Sequence, residues 1–455
     1  MRASKANLSA HFKTAKAAVA VFISAMLALA PWAGAQNNGV WIGTSRVGSP
    51  SIEIAVPEFP VSWDDKEGLG AQAADVINFD LKATGMFKPH ENKDFLKQAS
   101  EKDLKAKGGV DFDEWKTLVS NFVVKGVVGQ KPDGKIYLDT RVYDIQQRKL
   151  YFSKIYTGPK AIFRQMAHQF SDDLLNRLTG EQGIARTRMA FVSKQMGRKE
   201  LFIMDYDGYN PIQVTTDKSM VLFPNWHPKK DLILFTTFRY RNPDLYAMDL
   251  RNGTRYPVSR KIGSNSTGEW SPDGKRVVFS LTKGGNADIY IANADGGSVV
   301  QLTSAPSIET SPAISPDGRY VAFSSDRTGS PQIYIMSLDG KENWRATWTG
   351  GYNEGAAWSP KGDYIAYASM NGNNFNISVV NWREPRDVRQ LTAGAGSEES
   401  PTWAPNGRNI AFAARRNGTK QIFIINSDGT NQTPVTSMPG GGYTPSWGPP
   451  LDLLK

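Results

Sequence analysis

Trp270-Ser-Pro-Asp-Gly274, Arg276-Val-Val-Phe-Ser280, Asp288-Ile-Tyr-Ile-Ala292, Ala294-Asp-Gly-Gly297 and Gln301-Leu-Thr303 follow one another in the middle of this chain. They spell an aromatic anchor, a Pro-Asp-Gly turn, two strands joined by a polar hairpin, a second Asp-Gly turn and a third short strand. Asp-Gly between β-branched and aromatic runs marks a hairpin, because Gly takes positive φ without steric cost. The same text recurs. Its anchors are Trp226-His-Pro-Lys-Lys230, Trp270, Ile314-Ser-Pro-Asp-Gly318, Trp358-Ser-Pro-Lys-Gly362, Trp403-Ala-Pro-Asn-Gly407 and Trp447-Gly-Pro-Pro450, spaced 44, 44, 44, 45 and 44 residues apart. A fixed period in the forties carrying strand-and-turn text predicts a β-propeller.

The ends of the array set the blade count. The first module opens on a second strand, Met189-Ala-Phe-Val-Ser193, with no anchor before it, and the last anchor, Trp447, has no strands after it. Joined, they complete a sixth blade. The expected fold is an all-β six-bladed propeller of four-stranded blades, its ring closed by the C-terminal strand so that two open strand edges are paired. A small α/β domain precedes it. The boundaries expected are a signal peptide over 1–35, the α/β domain over 36–183 with an arm at 36–50, the propeller over 184–449 and a tail over 450–455.

In the α/β domain, Ile52-Glu-Ile-Ala-Val56, Phe122 to Val128, Ile136 to Tyr143 and Leu150 to Tyr156 read as strands. Leu69, Ala73, Val76 and Ile77 lie on one face of a helix ending near Gly85. Phe163, Met166, Phe170 and Leu174 form the stripe of a second helix that runs to Thr179, with Gly180 past its end. Lys88 to Gly109 carries the least pattern and is expected to be a surface loop.

Arg2, Lys5, Lys13 and Lys16 precede an apolar run from Ala17 to Ala30, and Ala33-Gly-Ala35 offers small residues to a signal peptidase. Cleavage between Ala35 and Gln36 is expected; the run is short for a bilayer span. It lowers the formal net charge from +10 to +6. That balance, without a Lys/Arg run, does not argue for nucleic acid. With no Cys in the 455 residues, disulfides, thiol catalysis and Cys-ligated metals are excluded. The mature histidines, His90, His168 and His227, have no metal-ligand spacing and read as structural or solvated. Asp205-Tyr-Asp-Gly208 lacks the downstream Glu of a calcium loop. No G-x-S-x-G elbow is present. No catalytic residue, cofactor or metal is expected.

What remains is the lip where links between blades emerge. The segments before the anchors are where the repeats diverge, and five of their glutamates, Glu269, Glu309, Glu354, Glu398 and Glu399, predict an acidic partner-binding lip. Rival readings are a secreted propeller enzyme acting on glycans or peptides, and a soluble ligand-binding propeller.

The signal peptide, the α/β domain and the six repeats together resemble the TolB family, periplasmic propeller proteins of the Tol-Pal system. So do Leu178-Thr-Gly180, Ile184-Ala-Arg-Thr-Arg-Met-Ala-Phe-Val192, Tyr206-Asp-Gly-Tyr-Asn210 and Ile54-Ala-Val-Pro-Glu-Phe59, although Glu58 stands where members usually carry Pro. The resemblance implies a non-enzymatic, monomeric periplasmic adaptor supporting outer-membrane integrity and cell division. It implies binding of the peptidoglycan-associated lipoprotein Pal at the lip and of the TolA C-terminal domain through the arm. Thr310 matches a lip Thr, and Ser264, beside Asn265, stands where a His is expected. In the arm, Val40, Trp41, Ile42 and Thr44 give the alternating start, and Gly48 and Pro50 are kept.

Overall fold

Residues 51–450, apart from 107, 108, 120 and 395, are described by the computed structural model of the chain. The signal-cleavage pair Ala35 and Gln36 and the arm residues Val40, Trp41, Ile42, Thr44, Gly48 and Pro50 lie outside the described residues, as do 451–455.

The first domain contains β1 (Ile52–Ala55), α1 (Leu69–Ala83), β2 (Phe87–Pro89), α2 (Lys93–Asp103), α3 (Phe112–Lys116), β3 (Phe122–Gln130), β4 (Ile136–Asp144), β5 (Lys149–Gly158) and α4 (Phe163–Thr179). Its sheet has the order β2-β1-β3-β4-β5. β1 runs parallel to β2 and β3, and β3 to β5 form an antiparallel meander. α4 covers the face carrying Phe152 and Tyr156, through Phe170. Around Trp115, Leu96 and Ala99, α2 and α3 cover the face carrying Val123 and Tyr143.

The loop expected over Lys88 to Gly109 is corrected: it contains the end of β2 and the whole of α2. Asn92 caps α2 by accepting the N–H groups of Asp94 and Phe95, satisfying donors that the helix leaves open. The helix buries only Leu96, Ala99 and Asp103. One of those three is charged, so the apolar period that reveals a helix is too weak to read.

Six four-stranded antiparallel sheets follow. The strand Tyr443–Pro450 pairs with Thr187–Gln195, so the first blade is completed by the end of the chain as expected. First strands of successive blades touch one another and thus surround the axis. They are laced by the residue before each anchor. Asn225 accepts the N–H of Trp270 at 3.1 Å, Glu269 that of Ile314 at 3.0 Å, Thr402 that of Trp447 at 3.3 Å and Ser446 that of Trp226 at 3.0 Å. Where alanine holds that place, the next anchor's indole donates instead: Trp358 to the Ala313 carbonyl at 2.9 Å, and Trp403 to the Ala357 carbonyl at 3.0 Å.

A second six-fold feature is a bulge in every first strand. The third residue before each anchor, Phe223, Thr267, Ser311, Gly355, Ser400 or Thr444, has φ between 44° and 67°. Pairing registers jump at the same place. Positive φ is costly for any residue but Gly, and most of all for Thr, so the surrounding lattice holds this geometry. Bulges re-aim neighbouring side chains and sharpen the local twist.

The α/β domain sits on the first and sixth blades. Asn409 donates to the carbonyl of Ala83 at 3.0 Å, Asn431 donates to that of Lys82, and Arg408 pairs with Glu181 at 2.8 Å. Ala83 and Phe79 join the core that contains Tyr206 and Trp447. These propeller residues lie in or next to turns between first and second, or third and fourth, strands. Antiparallel alternation puts the interblade links and the hairpins between second and third strands on the opposite end, which the domain leaves free.

Candidate binding face of the propeller

The free end is built from the starts of the six first strands and the links before them. Five residues before each anchor stand Val221, Asn265, Glu309, Asn353, Glu398 and Gly442, and all six are buried. This shared position holds the links in place. Asn265 donates to the carbonyls of Lys261, Gly263 and Pro243, and it accepts from Ser259 at 2.6 Å. Asn353 donates to the Thr349 carbonyl and to Gln332. Glu309 takes a short contact from Arg327, and Glu398 one from Arg416. Both carboxylates are 0% exposed. A buried carboxylate persists only when paired, and each guanidinium supplies that pairing.

The expectation that Asn265, Glu309 and Glu398 present themselves on an acidic lip is therefore corrected. They lie under the lip and hold its loops. Glu269 is also no rim residue. It lies one place before its anchor, partly accessible although protein surrounds it, and burial raises its pKa to about 8 despite the Ile314 N–H it accepts. Ser264, Thr310, Glu354 and Glu399 keep partial exposure at the free end. Ser264 uses its carbonyl to accept the Thr282 N–H at 3.0 Å. Glu354 accepts from Tyr352 Oη at 3.1 Å, and burial raises its pKa. Glu399 pairs with Lys420. Nearby, Lys199 Nζ lies 4.8 Å from the Tyr443 ring centre, and burial lowers its pKa. This sector is mixed in sign, because each glutamate has drawn a cation or a hydroxyl to it.

What the glutamates concealed is an apolar arc. Met220, Ile262, Ile308 and Trp348, in the links entering the second to fifth blades, are exposed, Ile262 by 94% and Trp348 by 65%. Single exposed apolar side chains are ordinary, but one in each of four successive links forms a rim. Links into the sixth and first blades are instead rich in glycine, at Gly394, Gly396 and Gly440 to Gly442. The signal was present in the sequence as a lone apolar residue inside each polar link. It carries no weight until the links are known to share one face.

The α/β domain carries a cleft of about 1120 Å³ beside Pro57, Phe59, Phe79 and Val127. Several charged groups along it are paired: Lys125 with Asp103, Lys82 with Glu91, Lys93 with Asp75 and Arg141 with Asp139. Among the described residues no helix is long and apolar enough to cross a membrane.

The class is a six-bladed β-propeller with a small α/β domain docked on its first and sixth blades and an apolar rim at the opposite end. Its membership is narrower than that: the chain belongs to the TolB family. Residues 175–451 match the TolB beta propeller domain and residues 42–151 the TolB amino-terminal domain. The chain is 32% identical over 262 residues to the Tol-Pal system protein TolB of Bordetella parapertussis, covering 58% of this chain and 56% of that one. It is 33% identical over 183 residues to that of Syntrophotalea carbinolica, covering 40% and 42%. The match thus spans about half the length of these relatives, 56% of one and 42% of the other. The crystal structure of TolB from Acinetobacter baumannii superposes with a TM-score of 0.75 at 28% identity, covering 88% of this chain and 97% of that one.

Proposed function

We propose that this protein is a non-enzymatic adaptor of the Tol-Pal system, exported by cleavage after Ala35 and working in the periplasm. It binds the lipoprotein Pal on the free end of its propeller and the TolA C-terminal domain through the arm at 36–50, in support of outer-membrane integrity and cell division. The observation that carries the first half is the apolar arc of Met220, Ile262, Ile308 and Trp348 on the end that the α/β domain leaves open. Apolar and aromatic anchors at the centre of an interface supply most of its binding energy, while surrounding polar groups set register. Thr310, Ser264, Glu354 and Glu399 are the polar groups available to a partner seated there. The buried Asn265, Glu309 and Glu398 act by holding the links.

For the arm the support is its pattern. Val40, Ile42 and Thr44 alternate as an added strand does, and an extended segment can pair with a partner's open sheet edge through main-chain bonds alone. The experiment is calorimetric titration of soluble Pal and of the TolA C-terminal domain into the mature protein and into a form lacking 37–49. Loss of TolA binding with Pal binding retained supports both halves. TolA binding that survives the deletion places that site elsewhere, and absence of Pal binding by the mature protein refutes the first half.

A further inference from the structure

Three side chains that no sequence spacing connects converge where the α/β domain meets the first blade. His168 comes from α4. Asp205 ends that blade's third strand, and Asp207 lies in the turn that leads to its fourth. One ligand-competent atom of each lies within 4.8 Å of the others. His168 is 2% exposed, and its Nε2, which faces the two carboxylates, has no hydrogen-bond partner. That nitrogen stands 3.8 Å from Asp207 Oδ2, beyond hydrogen-bond length. The other ring nitrogen is committed. Nδ1 contacts the Asp80 carboxylate at 2.9 and 3.0 Å, and Asp80 is itself fixed by the Tyr206 hydroxyl at 2.7 Å.

We propose that His168 Nε2, Asp205 and Asp207 form a site for a divalent transition-metal ion, zinc in the first instance, that ties the α/β domain to the propeller. An imidazole whose far N–H is held by a carboxylate is the usual arrangement of a metal-bound histidine, since the carboxylate fixes the tautomer and raises the basicity of the ligating nitrogen. One nitrogen and two carboxylate oxygens suit zinc and exclude the all-oxygen preference of magnesium and calcium. Bonds of about 2.0–2.2 Å from a central ion can be reached from ligand atoms this far apart by small side-chain rotations. Asp205 keeps partial exposure, which leaves a path for an ion and a water from that side.

Charge supports the assignment. Arg164 contacts Asp207 and stacks on Tyr209 with its carbon 3.9 Å from the ring centre, so its guanidinium is held by one of the two carboxylates. Arg186 and Arg188 are taken by Asp172 and Asp231. Among the described residues Asp205 has no ion-pair partner, so a cation bound beside it meets a carboxylate that is not already committed.

The test is zinc titration by calorimetry into chelator-stripped mature protein, with metal analysis after dialysis and melting curves at increasing zinc. The expected result is one ion per chain and a melting temperature that rises with zinc concentration, since an ion bound only by the folded state stabilises it by mass action. Asp205→Asn, which removes no hydrogen bond, should weaken binding at least about tenfold while leaving the far-ultraviolet spectrum unchanged. Arg164→Gln should tighten it, because the guanidinium competes for Asp207. The proposal is overturned if the wild-type chain shows no saturable binding, if Asp205→Asn binds as the wild type does, or if Arg164→Gln binds more weakly.

Discussion

Ser446 Oγ accepts the backbone N–H of Trp226 at 3.0 Å, joining residues 220 positions apart in the chain. It is the same bond that Asn225 makes to Trp270 and Glu269 to Ile314, so the last strand enters the ring as a full member. Ser446→Ala leaves that buried N–H unpaired and should cost about 1–2 kcal/mol in urea unfolding. Removing 442–455 should do far more. It opens the edge of the strand Thr187–Gln195 and strips the packing of the second blade's first strand, and a single cooperative transition should give way to a broad one with reduced solubility.

Glu309 and Glu398 should behave as structural residues when mutated. Glu309→Ala or Glu398→Ala strands Arg327 or Arg416, whose side chains are 25% and 30% exposed. Partial exposure reduces the loss from that of a fully buried pair to about 2–4 kcal/mol. The check is to measure stability and Pal affinity on the same preparations. Melting should fall steeply, while affinity per folded molecule at low temperature changes little.

Glu269 should make stability depend on pH. Burial raises its pKa from 4.5 to about 8. A carboxyl held above its unfolded value favours the folded state when protonated, so its contribution is complete below about pH 4.5 and is lost as pH rises through about 8. Glu269→Gln keeps an acceptor for the Ile314 N–H and cannot ionise. It should match the wild type near pH 4.5 and exceed it by about 1–3 kcal/mol at pH 8.5, less than full linkage because the carboxyl keeps some water contact. Equal stabilities at pH 8.5 would show that this carboxyl titrates as an ordinary one.

The fold was readable because its determinants are local and repeated six times. Pro-Asp-Gly turns and alternating strands state a blade, and the unmatched ends state the closure. Helix α2 was not readable, since its buried face is Leu96, Ala99 and a charged Asp103 whose partners, Trp115 and Lys125, come from elsewhere. The free face was half readable. Divergent links located it, but whether a glutamate in a link points outward or is drawn under it depends on an arginine about eighteen residues later, as Arg327 is to Glu309 and Arg416 to Glu398. The His168 cluster was beyond reach for the same reason. Asp80, His168 and Asp207 meet only once two domains have docked.

Pal titrated into a triple variant of the rim tests the central claim most directly. Ile262→Asp, Ile308→Asp and Trp348→Asp together place charge on the apolar arc without touching a buried side chain. If the free end of the propeller is the Pal site, affinity should fall by at least about a hundredfold, or roughly 2.7 kcal/mol. The control Ile155→Asp, on the exposed face of β5, should bind as the wild type does. Undiminished binding by the rim variant, or a loss confined to the Ile155 control, would contradict the account.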